Sequence, residues 1–211
     1  GLSFITPRTH EDLEKRSGMM FHWSRFSGGM LGRSSDYINV EIMAAAAAAD
    51  FYHQNDPRFG ENARNYYDYA RENDLCMTHT LVNPQSNRAL TASGHPSADV
   101  ALRIVDENAD GMVVRGARIL ATLGPLADEI MVFPSTVLKA ASDTNSFAFA
   151  FTIPCGTPGM KLICRESLVY SESQIDHPLG SRFEEMDTIV VFDDVLVPWD
   201  RVFLKSDPEL C

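Results

Sequence analysis

Arg33 and Tyr37 stand four residues apart in the stretch MLGRSSDYINVEIM, Met30 to Met43, at the mouth of an alanine-rich segment. If a helix begins by Ser34 or Ser35, both side chains project from one side of its N-terminal end. A guanidinium, a phenol and a helix N-terminus together favour an anionic oxygen, through fixed charge, a hydrogen bond and a partial positive dipole. The same spacing also fits a helix cap beside a solvated arginine. His79 lies in CMTHTLVNPQ, and a histidine inside an apolar strand is either a satisfied core residue or a proton acceptor. The turn that follows, Asn83-Pro84-Gln85, offers amides suited to the edge of a heteroaromatic ring. Thr122, in GARILATLGPLADEI, either donates to a ligand or satisfies the backbone.

These residues need elements to hold them. Before residue 76 the signals are helical. Thr9 is placed to cap a first helix, with Asp12 three residues on and Leu13, Met20 and Trp23 following. From about Asp36 to His53 the chain is rich in alanine, with six in a row at 44–49, which predicts a helix that another element can approach closely. GENARNYYDYARENDL predicts a third, with Tyr66 and Tyr69 facing inward beside Ala70. From Cys76 onward, seven β-branched or aromatic runs are separated by turns such as NPQSN, ENADG and CGTPG. In SFAFAFTI, Phe147, Phe149 and Phe151 share one face while Ala148, Ala150 and Thr152 share the other, which predicts a half-buried antiparallel strand. The expected organisation is a helical region over 1–75, a β domain over 76–205, and a short end, 206–211, that stops abruptly.

Bulk composition narrows the function. The chain has 211 residues, 45% of them hydrophobic, and a net charge of −11. Without clustered positive charge it is a poor candidate for nucleic acid or for an acidic membrane surface. The longest apolar run, Ile42 to Ala49, is far below the roughly 20 residues of a membrane span, and the first residues do not read as a signal peptide. Cys76, Cys155, Cys164 and Cys211 are too scattered for a disulfide framework or a zinc site, which suggests reduced thiols in the cytoplasm. Nor do the histidines show HExxH spacing, so no metal is expected. The loop TIPCGTPG is stiff but no phosphate loop, and the absence of GxGxxG leaves no Rossmann fingerprint for NADH.

Taken together, TPRTHEDLEKR, GRSSDYINV, HTLVNPQ, GMVVRGARILATLGPLADEIMVFP, TIPCGTPGMKLICRES and FEEMDTIVVFDDVLVPWDRVF resemble the oxygenase components of two-component, reduced-flavin-dependent phenol hydroxylases, the 4-hydroxyphenylacetate 3-monooxygenase family. The resemblance implies an α+β, acyl-CoA-dehydrogenase-like fold: an N-terminal helical region, a central antiparallel β-barrel, and a C-terminal helical bundle that this chain lacks. It implies ortho-hydroxylation of a phenol with O2 and with reduced FAD delivered by a separate flavin reductase, in a homo-oligomer, dimer or tetramer. In the family the places of Arg33, Tyr37 and His79 surround the phenolic hydroxyl, while Asn83, Pro84, Gln85 and Thr122 face the flavin. The loop bearing Thr157 lies near the same pocket. On this reading Arg33 stabilises phenolate charge, His79 takes the proton and Tyr37 orients the oxygen. A chlorophenol monooxygenase, a CoA-ester dehydratase and a non-catalytic fragment are the alternatives. No cysteine precedes Cys76, which argues against the iron–sulfur cluster of the dehydratase.

Overall fold

In the computed structural model, which describes residues 1–29, 36–84, 100–135, 138, 142–167, 169, 173–183 and 186–211, helix α1 spans His10–Phe26. Its start follows the expected chemistry. Thr9 Oγ1 accepts from the Asp12 amide at 3.2 Å, and Asp12 Oδ2 accepts from the Thr9 amide at 3.0 Å, so two amides that the helix leaves orphaned are satisfied reciprocally. The alanine-rich segment is two helices rather than one. α2 spans Asn39–Ala47 and α3 spans Ala49–Tyr52, with Ala48 out of helical geometry between them. The break turns α3 against α4, which spans Pro57–Glu72 and is capped by Asp56 with Pro57 in its first turn. A Cβ on Gly60 would lie 2.5 Å from the Ala49 carbonyl oxygen and 2.2 Å from the His53 ring. Only hydrogen at both Gly60 α positions allows that approach.

α4 buries Phe59, Gly60, Ala63, Tyr66 and Ala70, one stripe at helical spacing. Tyr69 departs from expectation: it is 40% exposed, whereas Tyr66 is 3% exposed. Both hydroxyls nevertheless donate to Glu129, at 3.2 and 2.9 Å. Arg201 Nη1 completes that buried carboxylate's partners at 2.7 Å.

Eight strands follow: β1 Met77–Thr80, β2 Arg103–Glu107, β3 Gly111–Ala121, β4 Glu129–Val132, β5 Phe149–Pro154, β6 Met160–Cys164, β7 Thr188–Pro198 and β8 Val202–Lys205. The last apolar run of the sequence is thus two strands, divided by a single turn of 3-10 helix at Trp199–Arg201. They form two four-stranded sheets, ordered β1-β4-β5-β8 and β2-β3-β7-β6. Among the described residues neither sheet closes on itself, and the first is not wholly antiparallel, because β1 runs parallel to β4. A bridge between Val82 and Ile119 links the two.

β5 explains the layering. Its bulky face carries Phe149, Phe151 and Ile153 into a core shared with Val190, Phe192 and Val195 of the second sheet. Its narrow face, with Ala148 before it and Ala150 within it, packs with Ile38, Ile42, Ala63 and Tyr66 of the helical layer. Phe149 and Phe151 part from Ala150 as the alternation predicts, whereas Phe147, expected on the same bulky face, ends a 3-10 helix, Ser142–Phe147, that precedes the strand. The strand is not half-buried, however, since Phe149 to Ile153 are all buried. A sheet covered on both sides leaves no solvated face, and the small side chains give the helices room to approach. The order is helices, first sheet, second sheet.

Candidate active site

Tyr37 sits in the turn before α2, anchored by its fully buried neighbour Ile38. Its hydroxyl lies 3.3 Å from His79 Nδ1, 3.4 Å from Thr78 Oγ1 and 3.4 Å from the Thr122 carbonyl oxygen. The Tyr37 and His79 rings meet edge to face at 5.7 Å, and Phe133 closes on the other side of the imidazole at 6.1 Å. β1 is an edge strand, so one phenol reaches both Thr78 and His79 although successive side chains leave opposite faces. The Thr78 hydroxyl also donates to the Thr122 carbonyl. Three layers therefore contribute to one point: Tyr37 from the helices, Thr78 and His79 from the first sheet, and Thr122 from the end of β3 in the second.

The electrostatics suit neutral groups. Burial lowers the His79 pKa from its ordinary value and raises that of the Tyr37 phenol, the latter partly offset by the Thr78 hydrogen bond. At neutral pH the imidazole is unprotonated and the phenol keeps its proton. Contacts of 3.3–3.4 Å are long for a hydroxyl. One phenolic proton cannot serve three acceptors, so this hydroxyl is free to turn toward a better oxygen.

Thr122 differs from its sequence reading. Its hydroxyl donates to Asp187 Oδ1 at 2.7 Å, while Arg165 Nε approaches Asp187 Oδ2 at 3.5 Å and the Arg165 amide donates to the Asp187 carbonyl at 3.1 Å. Leu123, at φ +63°, turns the chain immediately afterwards. Asn83 Oδ1 accepts from Arg118 Nη1, and the Arg118 guanidinium is wholly buried above the Phe149 ring at 5.3 Å. Burial pushes that guanidinium down to about 10. Thr157 turns inward on its own loop, its hydroxyl donating to the Pro154 carbonyl at 2.7 Å, and no described contact joins it to Tyr37, His79 or Thr122. Pro84 is half-buried beside Asn83. Arg33 and Gln85 lie outside the described residues.

Thr78, Asp187, Arg165 and Arg118 escaped the sequence reading. The signal for Thr78 was available: MTHT places polar side chains on both faces of a short strand that apolar runs surround. Among the described residues no group of three or more His, Cys, Asp or Glu side chains is placed to hold a metal ion. No described helix is long and apolar enough to cross a membrane.

A family model described as "4-hydroxyphenylacetate 3-hydroxylase N terminal" matches residues 1–204. The chain belongs to this family. The 4-hydroxyphenylacetate 3-monooxygenase oxygenase component of Geobacillus sp. (strain PA-9) is 51% identical over 211 residues, which are 100% of this chain and 43% of that protein. A protein of the same name from Thermus thermophilus is also 51% identical, over 100% of this chain and 42% of its own length. The chain thus spans about two fifths of the curated relatives it matches. A crystal structure of such an oxygenase component, complexed with FAD and 4-hydroxyphenylacetate, superposes with a TM-score of 0.90 at 51% identity, covering 100% of this chain and 43% of that one. The fold also recurs at 19% identity and a TM-score of 0.82 in an archaeal 4-hydroxybutyryl-CoA dehydratase from N. maritimus.

Proposed function

We propose that this chain is part of the oxygenase component of a two-component monooxygenase that hydroxylates a phenol of the 4-hydroxyphenylacetate kind at the ortho position, using O2 and reduced FAD supplied by a separate reductase. The observation that carries the reading is the convergence of the Tyr37 hydroxyl and His79 Nδ1, 3.3 Å apart, in a family whose solved relative is complexed with FAD and 4-hydroxyphenylacetate.

The residues suit a flavin. The polar edge of its ring presents carbonyls and N–H groups, and this chain offers complementary partners nearby. Among the described residues Arg118 Nε and Nη2 are buried without a hydrogen-bond partner, Asn83 Oδ1 accepts from the same guanidinium, and Thr122 Oγ1 keeps lone pairs. Asn83, Pro84, Gln85, Thr122 and Thr157 are the proposed flavin-facing set. Reduced flavin, when bound, supplies the electrons that activate O2.

The chain's own residues act on the phenol. An ordinary phenol has a pKa of about 10 and an ordinary imidazole about 6.5, so full proton transfer to His79 is uphill by about 5 kcal/mol even before burial lowers the imidazole further. His79 alone therefore cannot ionise the substrate. Arg33 supplies the fixed charge that makes a phenolate tolerable, His79 accepts the proton as that charge develops, and Tyr37 donates to the same oxygen. The ring becomes electron-rich as its oxygen becomes anionic. Ile38 and Phe133 keep that corner apolar.

The finer architecture belongs to the same proposal: a helical unit over 1–75, a barrel over 76–205 built from the two sheets, and an acyl-CoA-dehydrogenase-like whole completed by a helical bundle after 206–211. So do a homo-oligomeric assembly and a cytoplasmic location. The test is anaerobic titration of the full-length protein with reduced FAD, followed by oxygen and a panel of phenols with product analysis. Arg33→Ala and His79→Ala should each lower hydroxylation more than flavin binding. Wild-type hydroxylation in both variants would refute the assignment of roles.

A further inference from the structure

We propose that Trp23 is a positioning residue for the hydroxylation: through Asp36, its indole N–H sets where the Tyr37 hydroxyl meets the substrate oxygen. The inference rests on the reading of Tyr37 as a donor to that oxygen and extends the site to helix α1.

α1 is not held by a core. None of its residues is buried, and Phe21 and Phe26 are 66% and 61% exposed. Among the described residues its polar ties to other segments run from Arg16 Nη1 to the Ile5 carbonyl at 3.0 Å and from Trp23 Nε1 to Asp36 Oδ2 at 3.0 Å. An indole has one N–H and no acceptor, and a carboxylate is the stronger kind of acceptor for it, so this bond has a definite direction. The ring that carries the donor is itself steadied. Trp23 meets Phe26 edge to face at 5.9 Å, and Phe26 meets Phe183 in the same way at 6.2 Å.

Asp36 immediately precedes Tyr37, and the turn they share is anchored on both sides of the tyrosine. Behind it, Ile38 is fully buried, the Asn39 amide donates to the Asp36 carbonyl at 3.1 Å, and the Asn39 side chain donates to Ser3 Oγ at 3.1 Å. Ahead of it, among the described residues, the Asp36 carboxylate has Trp23 as its partner. The Tyr37 hydroxyl lies at the far end of a long side chain, 3.3 Å from His79 Nδ1 and 3.4 Å from Thr78 Oγ1. A small backbone rotation at Asp36 is magnified there. Those separations are already long for a hydroxyl, so releasing the forward anchor carries the phenol away from an oxygen that gains charge during the reaction. The rest of the pocket keeps its hold on the neutral substrate.

The experiment is a double-mutant cycle on hydroxylation of 4-hydroxyphenylacetate by the full-length protein with saturating reduced FAD. It reads kcat and KM for Trp23→Phe, Tyr37→Phe and the pair, beside Asp36→Leu and Asp36→Asn. Trp23→Phe keeps an aromatic ring against Phe26 and deletes the donor. It should lower kcat about tenfold, within the roughly 100-fold that a 1 Å misplacement can cost. KM for the phenol should change by less than about twofold, because the lost contact matters as charge develops. Asp36→Leu should match it, and Asp36→Asn, which keeps an oxygen for the indole, should keep most of the rate. In the Tyr37→Phe background, Trp23→Phe should lower kcat by less than about twofold, since the hydroxyl it positions is gone. If Trp23 only steadies α1, the two losses multiply instead, and that result overturns the proposal. So does a kcat within about twofold of wild type in both Trp23→Phe and Asp36→Leu. Should Trp23→Phe fail to fold, the same cycle with Asp36→Leu decides. A wild-type protein that hydroxylates no phenol, or a Tyr37→Phe variant that matches wild type, overturns the reading beneath and this inference with it. An active wild type with multiplying losses overturns the inference alone.

Discussion

Tyr37→Phe separates chemistry from architecture at this site. The substitution keeps the ring, its edge-to-face contact with His79 at 5.7 Å and the packing set by Ile38, and removes one oxygen. Thr122 loses little, because its carbonyl still receives Thr78. Thr78 likewise keeps that bond. His79 Nδ1 alone loses a partner, and it is half-buried, so the usual cost of about 1–3 kcal/mol for an unsatisfied group falls to about 1 kcal/mol. In a chain of this size that lowers the melting temperature by about 2–4 °C. Hydroxylation should suffer more. A hydrogen bond to an oxygen becoming anionic is worth about 1.5–3 kcal/mol, so kcat with a saturating phenol should fall about 10- to 100-fold, with the affinity for reduced FAD unchanged. The assay is single-turnover hydroxylation of preformed protein–reduced FAD with 4-hydroxyphenylacetate, beside a thermal melt. Hydroxylation within twofold of wild type would refute the placement of the substrate oxygen at Tyr37. A melting temperature lowered by more than about 10 °C would refute the claim that its hydroxyl is held loosely.

Three other substitutions probe the frame. Arg201→Leu leaves the Glu129 carboxylate, 2% exposed, with its two tyrosine donors as the partners among the described residues. It should cost about 3 kcal/mol, read as a lower urea midpoint, whereas Glu129→Gln with Arg201→Leu together should recover part of that loss. Because burial lowers the His79 pKa, the folded state binds fewer protons than the unfolded one, so this residue makes stability fall as pH drops below about 6.5. His79→Gln should flatten that part of the stability–pH curve below about pH 6.5, measured by urea unfolding, and an unaltered slope would contradict the burial. Gly60→Ala pushes a methyl to 2.5 Å from the Ala49 carbonyl oxygen and should destabilise by about 1–3 kcal/mol, despite the better helix propensity of alanine, as a thermal melt would register.

Local chemistry was legible in the residues. The Thr9–Asp12 cap, the inward Tyr66 and Ala70 of α4 and the alternation of Phe149, Ala150 and Phe151 all follow from spacing of a few residues, where sterics and hydrogen bonds act directly. What spacing could not reveal is set by neighbours distant in the chain. The buried narrow face of β5 depends on helices about 100 residues earlier. The break at Ala48 comes from the approach of α4, since alanine itself prefers to continue a helix. Tyr69 looked inward because it is aromatic, yet its ring stays half-exposed while only the hydroxyl is claimed by Glu129. The pairing of Tyr37 with His79 came from family resemblance, for nothing local links residues 42 apart. Thr122 stands out in the sequence with its hydroxyl open to a ligand or to the backbone, and neither reading supplies its partner, the Asp187 carboxylate. Asp187 sits just before a strand and carries no motif.

The assembly of this site from three layers has a consequence for how the protein tolerates change. The phenol, the imidazole and the Thr122 carbonyl ride on separate slabs, so their spacing gauges slab alignment as a vernier does. A slip of half an ångström in any core contact carries a 3.3 Å separation to the edge of useful reach. Remote volume changes, at Phe149 or Ala150 for example, should therefore detune the chemistry well before they unfold the chain.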